Sequence, residues 1–470
     1  MSTIRTILFP VLACIFFVSC DNSSNNACGS AWIGGEIVNP QRDHVVIYQS
    51  HKTIDTVPLD ENNFFMYRLE GVEPGIYFFS HNEYQAVFIE PGDSIMLRVN
   101  TVEFDESLSY TGTGADRNNF MMDLFLLNEK ENESMPEMYL LSPADFETRM
   151  DSLMSYRNML YTNFKENRRV SKQFEEVAKA SLNFDIYSKK ELYLSANARK
   201  KVYNEDLNIP EHFFNHRKQI DMGNENLRSY YPYYRFLSFY LDNLAFEKYK
   251  DSSPYDRNSY KHNYHKIHLI DSLITNDSLK NRLLRSAATR YFLHAKNEKD
   301  ERKLLDRFLA LNTSMVDHKE VAYLAEATIN LTPGHTIPNI KLLTAENTVK
   351  DLHSAINRPS VIYFWSSKSI KHYKNIHTRA SELKSKYPEY SFIGINLDDH
   401  FKKWLKVVKN SGYDANSEYQ MENFEDAEMK LVIDSMNKAM IVDADGIILN
   451  GNTNLFDISI ERELLGFLNK

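Results

Sequence analysis

Between residues 30 and 112 the apolar positions come in short runs. "HVVIYQS", "NFFMYRLEG", "GIYFFSH", "YQAVFIE" and "SIMLRVN" are rich in Val, Ile, Tyr and Phe, and Gly, Pro, Asp or Asn separates them at spacings of roughly ten residues. That pattern predicts strands joined by tight turns, a small antiparallel β-sandwich or barrel over residues 31–116. "EPGDS" at 90–94 has the chemistry of a turn, since Pro91 presets φ and Gly92 permits a positive φ. From 117 to 330 the period lengthens to that of a helix. In "FETRMDSLMSYRNMLYTNFKEN", Phe146, Met150, Leu153, Met154, Tyr161 and Phe164 recur at three- and four-residue steps. "VSKQFEEVAKASLNFDIYSKKELYL" and "LKNRLLRSAATRYFLHAK" carry similar stripes, so a helical middle region of packed antiparallel helices is expected. No fixed-period repeat stands out, which argues against a solenoid.

The punctuation of "LTPGHTIPN" at 331–339 stops helices and marks a boundary. Residues 332–470 then alternate in kind. "PSVIYFWS" is a near-continuous apolar strand, and "SIKHYKNIHTRASELKSKY" is an amphipathic helix expected to turn Ile370, Tyr373, Ile376, Ala380 and Leu383 inward. "YSFIGINLD" is a second buried strand, and "DHFKKWLKVVKNSG" a helix closed by Gly412. "KAMIVDADGIILNG" turns at Asp445-Gly446 as a hairpin, and "ISIERELLGFLN" is a last helix. The order β-α-β-α-β-β-α predicts an α/β layer with a mixed sheet.

A chain of 470 residues is too long for one ordinary domain, and about three fit its length. The net charge is 55 − 64 = −9, with no long Lys/Arg block. Nucleic acid is therefore excluded as an expected partner, because it would need a basic face. The first residues change the picture more. "MSTIRTILFPVLACIFFVSC" has Arg5, an apolar run from Ile7 to Val18, then Ser19 and Cys20, the layout of a secretory signal over residues 1–20. The run is too short to span a membrane. Cys20 directly after a small residue resembles the lipobox of bacterial lipoproteins, with Phe17 where a Leu is commoner. That resemblance implies lipidation of Cys20, a polar tether over 21–30, and a mature chain anchored to a membrane of the cell envelope. The outer membrane is the expected one, although Asp21 after Cys20 resembles an inner-membrane retention signal of some bacteria. The alternative is a plain signal peptide with an incidental Cys20. Of the three cysteines, Cys14 leaves with the signal and Cys20 would be a thioether, so Cys28 is the sole free thiol. One thiol makes neither an intramolecular disulfide nor a Cys-rich metal site.

Residues 332–470 resemble the thioredoxin fold of the TlpA/ResA-like and AhpC/TSA-like families. The resemblance is carried by "PGHTIPNIKL", "RPSVIYFWSS", "FIGINLDD" and "MIVDADGIIL", in that order. The "GGEI", "IEPGDSIMLRV" and "YTGTGADRNNF" segments likewise resemble the N-terminal β-domain that precedes such modules in many Gram-negative lipoproteins. In redox-active members, Phe-Trp is followed three residues later by Cys-x-x-Cys at a helix N-terminus. The helix dipole there stabilises a thiolate, and the two-residue spacer brings the second sulfur within reach of a mixed disulfide. Here those positions hold Ser369 and His372. A hydroxyl and an imidazole cannot exchange disulfides. The family's cis-proline position, ahead of the final hairpin, falls on Asn437, where a trans bond is expected. The resemblance thus implies a degenerate, redox-inactive domain with a binding or scaffold role toward an envelope protein partner. Its rival is a thiol–disulfide oxidoreductase or peroxiredoxin-like enzyme.

Other residue groups have plainer roles open to them. Ser369 and His372 could form a nucleophile–base pair, but no orienting carboxylate stands out, and a helix-capping Ser369 with a solvated His372 is the plainer expectation. His262, His265 and His268 cannot all face one ion on a helix. Two of them with Asp271 could hold zinc, against a simple polar face. "YYPYYRFLSFYLDN" at 230–243 is either buried helix packing or an exposed stacking surface, with burial expected. No cofactor and no metal are called for.

Overall fold

The structure is a computed structural model that describes residues 29–50, 52–166, 168–200, 208–295 and 297–469. The expected signal segment, Cys14, the lipidation residue Cys20 and Cys28 lie outside the described residues. Two compact units result: Thr53–Asn119 with the chain up to Ile47, and Phe120–Lys470 with Tyr48–Lys52. The helical middle and the C-terminal layer therefore fall within one unit.

The first eight strands are β1 Gly29–Val38, β2 His44–Gln49, β3 Lys52–Pro58, β4 Phe64–Val72, β5 Gly75–His81, β6 Glu83–Ile89, β7 Ser94–Asn100 and β8 Ser109–Thr113, with a short α1 at Phe104–Ser107. They make two four-stranded sheets, ordered β4-β1-β7-β8 and β3-β2-β5-β6. The expectation of purely antiparallel pairing is corrected here, because β1 runs parallel to β7. Parallel neighbours need a long crossover, and β2 to β6 supply it. Strand β3 escaped sequence reading because all but one of its residues are exposed. Gly35 in β1 is forced by close approach. At φ 149°, a Cβ there would sit 1.9 Å from the Leu97 carbonyl oxygen.

The "ADRNN" segment that opens α2 (Ala115–Glu133) covers one edge of each sheet. The Asn118 amide accepts from Phe88 N at 2.7 Å and donates to Phe88 O at 2.9 Å, imitating a neighbouring strand for edge strand β6. Asn119 does the same for Tyr110 of β8, at 2.9 Å each way. Arg117 pairs with Glu90 and with the buried Asp93, fastening the 90–94 turn.

The helical middle continues through α3 Met135–Met138, α4 Pro143–Lys165, α5 Lys172–Lys200, a 3₁₀ segment at Glu211–Gln219, α6 Tyr231–Glu247, α7 Tyr260–Leu273, α8 Asp277–His294, α9 Glu298–Leu311 and α10 Met315–Ile329. Side-chain caps set several starts: Ser142, Ser259, Asn276, Asn297 and Ser314 each accept from a backbone N–H three residues on. The α4 stripe buries Phe146, Met150, Tyr161 and Phe164 as its spacing predicts, and it also buries Arg157 completely. Arg157 reaches Glu131 at 2.7 Å and Asp185 at 3.3 Å, and Lys189 joins Glu131 at 3.1 Å.

The C-terminal strands are β9 Lys341–Leu343, β10 Val349–Asp351, β11 Ser360–Trp365, β12 Ser391–Asn396, β13 Glu418–Met421, β14 Lys438–Val442 and β15 Ile448–Asn454. Helices α11 Leu352–Ala355, α12 Ile370–Lys386, α13 Phe401–Ser411, α14 Phe424–Leu431 and α15 Ser459–Leu468 complete the layer. The seven strands form one sheet, β10-β9-β13-β12-β11-β14-β15. β11, β12 and β13 are parallel, while β14 and β15 run antiparallel. One face packs on α14, α11 and the end of α10 through Ile362, Phe364, Ile393, Leu431 and Ala327. The opposite face packs Trp365, Ile441 and Phe392 on α12, α13 and α15. Sequence periodicity missed β13 and α14. It also misplaced Ile370, which is 61% exposed because it opens the first turn of α12, ahead of the packed Ile376, Ala380 and Leu383.

Candidate functional site

All six residues of β11 are buried, and the strand delivers its C-terminal end to a turn at 366–369. That turn is held from β12. Asp398, buried just past the strand, accepts from Ser366 Oγ at 2.5 Å and from the Ser367 backbone N–H at 2.6 Å. Asn396 Nδ2 adds a bond at 3.2 Å, and the Asp398 carbonyl accepts from Gln420 at 2.5 Å. Burial alone would raise the Asp398 pKa. The hydrogen bonds from the serines and Asn396 outweigh it and hold the carboxyl below its usual value.

Ser369 stands at the N-cap of α12 with φ −111° and ψ 88°, half-buried, and its side chain makes no capping bond. The expectation that its hydroxyl caps the helix is thus corrected: its backbone engages instead, the N–H donating to Ser366 O at 3.3 Å and the carbonyl accepting from Tyr373 N at 3.0 Å. His372 is not solvated either. It lies half-buried on the first turn, its Nε2 3.0 Å from Asn437 Oδ1. With the amide oxygen accepting, Nε2 carries the proton. Burial lowers the His372 pKa, opposed by the bond to Asn437. The structure therefore brings His372 and Asn437 together and leaves the Ser369 hydroxyl apart from them. No cis peptide occurs among the described residues, Asn437 included.

Directly behind α12 sits a buried carboxylate that sequence reading overlooked. Glu418 of β13 accepts from Tyr363 Oη at 2.7 Å and from Trp365 Nε1 at 2.9 Å. His377 Nε2 lies 3.3 Å from it, and the His377 ring stacks on Tyr413 with centroids 3.7 Å apart. The only signal was a glutamate inside "EYQM", four residues whose polar–apolar alternation does not reveal that all of them are buried.

The other candidates resolve into packing. His262 is buried and bonded to Tyr249 and Asp242, at 2.9 and 3.1 Å. His265 stacks on Tyr249, and His268 is spent on the Tyr264 carbonyl. No group of three or more His, Cys, Asp or Glu arranged to hold a metal occurs among the described residues. The 230–243 aromatics form α6, with Tyr233 and Phe236 buried and Tyr231 exposed.

No known family description matches the chain, and no curated protein does. Solved structures do match a part of it. A Bacteroides vulgatus protein provisionally described as a thiol-disulfide oxidoreductase is 18% identical, covering 29% of this chain and 97% of its own at a TM-score of 0.27. The C-terminal domain of a Bacteroides thetaiotaomicron protein, with the same provisional description, is 21% identical over 30% of this chain and 98% of its own, TM-score 0.25. A domain of a possible thiol-disulfide isomerase from Cytophaga hutchinsonii is 14% identical over 29% and 93%, TM-score 0.26. Likenesses this faint assign no activity, and what those proteins are said to do stays with them.

Proposed function

We propose that residues 332–470 form a thioredoxin-like domain without disulfide chemistry, serving as a binding or scaffold module of a lipoprotein held in the cell envelope through Cys20. The observation that carries this reading is the occupancy of the α12 N-terminus. The helix still presents uncapped first-turn N–H groups, where a thiolate would be stabilised, yet the two positions hold Ser369 and His372, and His372 is bonded to Asn437. A β-α-β unit followed by an antiparallel hairpin and a helix, in the sheet order given above, supports the fold assignment. The β-domain over 31–116 and the helical region over 117–330 would present or support that module.

The rival, a thiol–disulfide oxidoreductase, needs sulfur, and Cys28 is the sole thiol left in a mature lipidated chain. An insulin-reduction assay on the purified mature protein decides between them. Turnover at the dithiothreitol background supports the binding role; turnover above it that Cys28→Ser abolishes overturns it. Mass spectrometry of the mature N-terminus tests the anchor, and an unmodified Cys20 refutes it. Pulldown from intact membranes with the full chain as bait would identify the envelope partner.

A further inference from the structure

Where α8 and α10 meet the β14–β15 hairpin, the second unit contains a cavity of about 210 Å³. Phe292, Leu293, Leu331 and Val432 give it apolar walls. Most of its polar lining is already satisfied internally. Thr328 Oγ1 donates to Glu301 or the Ala325 carbonyl, and Thr332 Oγ1 is engaged by the Ile329 carbonyl and His335. Asn450 bonds Glu463 and the Asn452 backbone, and Asn452 donates to the Leu293 carbonyl at 2.6 Å.

The exception is Lys438. It lines the cavity, it is 4% exposed, and its ammonium has a single hydrogen-bond acceptor among the described residues, the Val432 carbonyl at 2.7 Å. An ammonium carries three donors, so two are left over in a buried position. No carboxylate forms an ion pair with it among the described residues, and Asp434 acts on it only at a distance. Val432, which also lines the cavity, is itself unusual. It ends α14 in the left-handed region, φ 47° and ψ 61°, where a β-branched residue is strained. A helix stop alone would favour Gly. Strain of this kind collects at ligand sites, where surrounding contacts over-determine the backbone.

We propose that this cavity binds a small amphipathic carboxylate, its oxygens taken by the Lys438 ammonium and its hydrocarbon part by the apolar walls. Spare donors beside apolar walls call for a ligand that brings acceptors at one end only. The volume equals that of about seven liquid waters, which suits an acid of roughly four to eight carbons. Burial lowers the Lys438 pKa to about 8, which leaves the group mostly charged at neutral pH and able to hold an anion. The lining includes none of Ser369, His372 and Asn437, although Lys438 directly follows Asn437, and the proposal does not depend on whether the α12 N-terminus is redox-active.

The test is isothermal titration calorimetry of the full mature chain with hexanoate and with hexanol at pH 7. Hexanoate is expected to bind at least about tenfold more tightly than hexanol, the margin of one charge-assisted contact. Lys438→Met keeps the aliphatic stem and should abolish that preference. Leu293→Trp, at a half-buried wall position, should remove binding of both probes while the fold is retained. Absence of hexanoate binding to the wild-type chain, equal binding of the two probes, or hexanoate binding that survives Leu293→Trp would each overturn the proposal. Should Lys438→Met fail to fold, the hexanoate–hexanol comparison and Leu293→Trp still decide it.

Discussion

Gly394 of β12 lies against the Glu418 carboxylate, and the sheet behind α12 depends on that fit. A Cβ at 394 would stand 2.3 Å from one carboxylate oxygen of Glu418 and 2.5 Å from the other, where ordinary contact begins near 3.4 Å. Gly394→Ala therefore forces the carboxylate back by about 1 Å. The carboxylate has little freedom to retreat, because Tyr363 and Trp365 hold it at 2.7 and 2.9 Å. A shift of that size breaks both bonds. Hydrogen bonds to a charged group are each worth about 1.5–3 kcal/mol, so Gly394→Ala should cost about 3 kcal/mol or more. Removing the obstacle removes the penalty: in a Glu418→Ala background the same substitution should cost less than about 0.5 kcal/mol, a coupling that a double-mutant cycle reads directly. Glu418→Ala alone should cost about 2–6 kcal/mol, since it strands two buried donors at about 1–3 kcal/mol each. Urea unfolding followed by indole fluorescence in a Trp32→Phe background reports on this layer, as the other two tryptophans, Trp365 and Trp404, are both in its core. A neutral Gly394→Ala, or one equally costly in both backgrounds, would refute the reasoning.

Arg157→Met should destabilise the helical region by about 3–5 kcal/mol, because Glu131 and Asp185 would lose the guanidinium that compensates them in the core; chemical denaturation checks it, and a loss under 1 kcal/mol would contradict it. Glu301 is pushed up to about 7 by burial, with Thr328 opposing. Its folded pKa exceeds the unfolded one, so stability declines as pH rises from about 4.5 to about 7. Glu301→Gln should accordingly raise the thermal midpoint at pH 8 and leave it nearly unchanged at pH 4, and the reverse ordering would be fatal. The double variant Ser369→Cys/His372→Cys should create a thiolate at position 369 with a pKa below the ordinary value of about 8.5, since the first-turn N–H groups of α12 carry no side-chain cap. Iodoacetamide alkylation against pH measures it, and an unshifted pKa would sink the placement of these positions at a thiolate-stabilising helix end.

Sequence patterning located elements where burial and hydrophobicity agree. β5 and β11 are apolar and buried, and both were legible as strands. It failed where they disagree. β3 is almost wholly exposed, so "KTIDTVP" shows no buried face to alternate with. β13 is wholly buried yet half polar, since Glu418 and Gln420 occupy core positions through hydrogen bonds that only tertiary structure supplies. Arg157 shares that origin: a basic residue on a helical stripe reads as solvated until Glu131 and Asp185 are seen to surround it. The candidate site divides the same way. Ser369, His372 and Asn437 could be placed by counting along a family pattern, and the latter two do meet. Asp398 and Glu418, which fix the turn and the strand ends around them, could not be found that way, because their partners come from other strands.

Those two carboxylates bear on how the N-terminal end of α12 keeps its shape. The 366–369 turn is tied to Asp398 through Ser366 Oγ and the Ser367 N–H. The strand that feeds the turn is tied to Glu418 through Tyr363 and Trp365. None of these bonds involves the side chains at 369 or 372. The start of α12 is therefore set by residues other than Ser369 and His372. His372 adds one contact of its own, to Asn437, joining the helix to the segment ahead of β14. A helix end fixed independently of the side chains at 369 and 372 can exchange them without losing its geometry. That independence lets the double-cysteine variant keep the bonds to Asp398 and Glu418 while giving up only the His372–Asn437 contact.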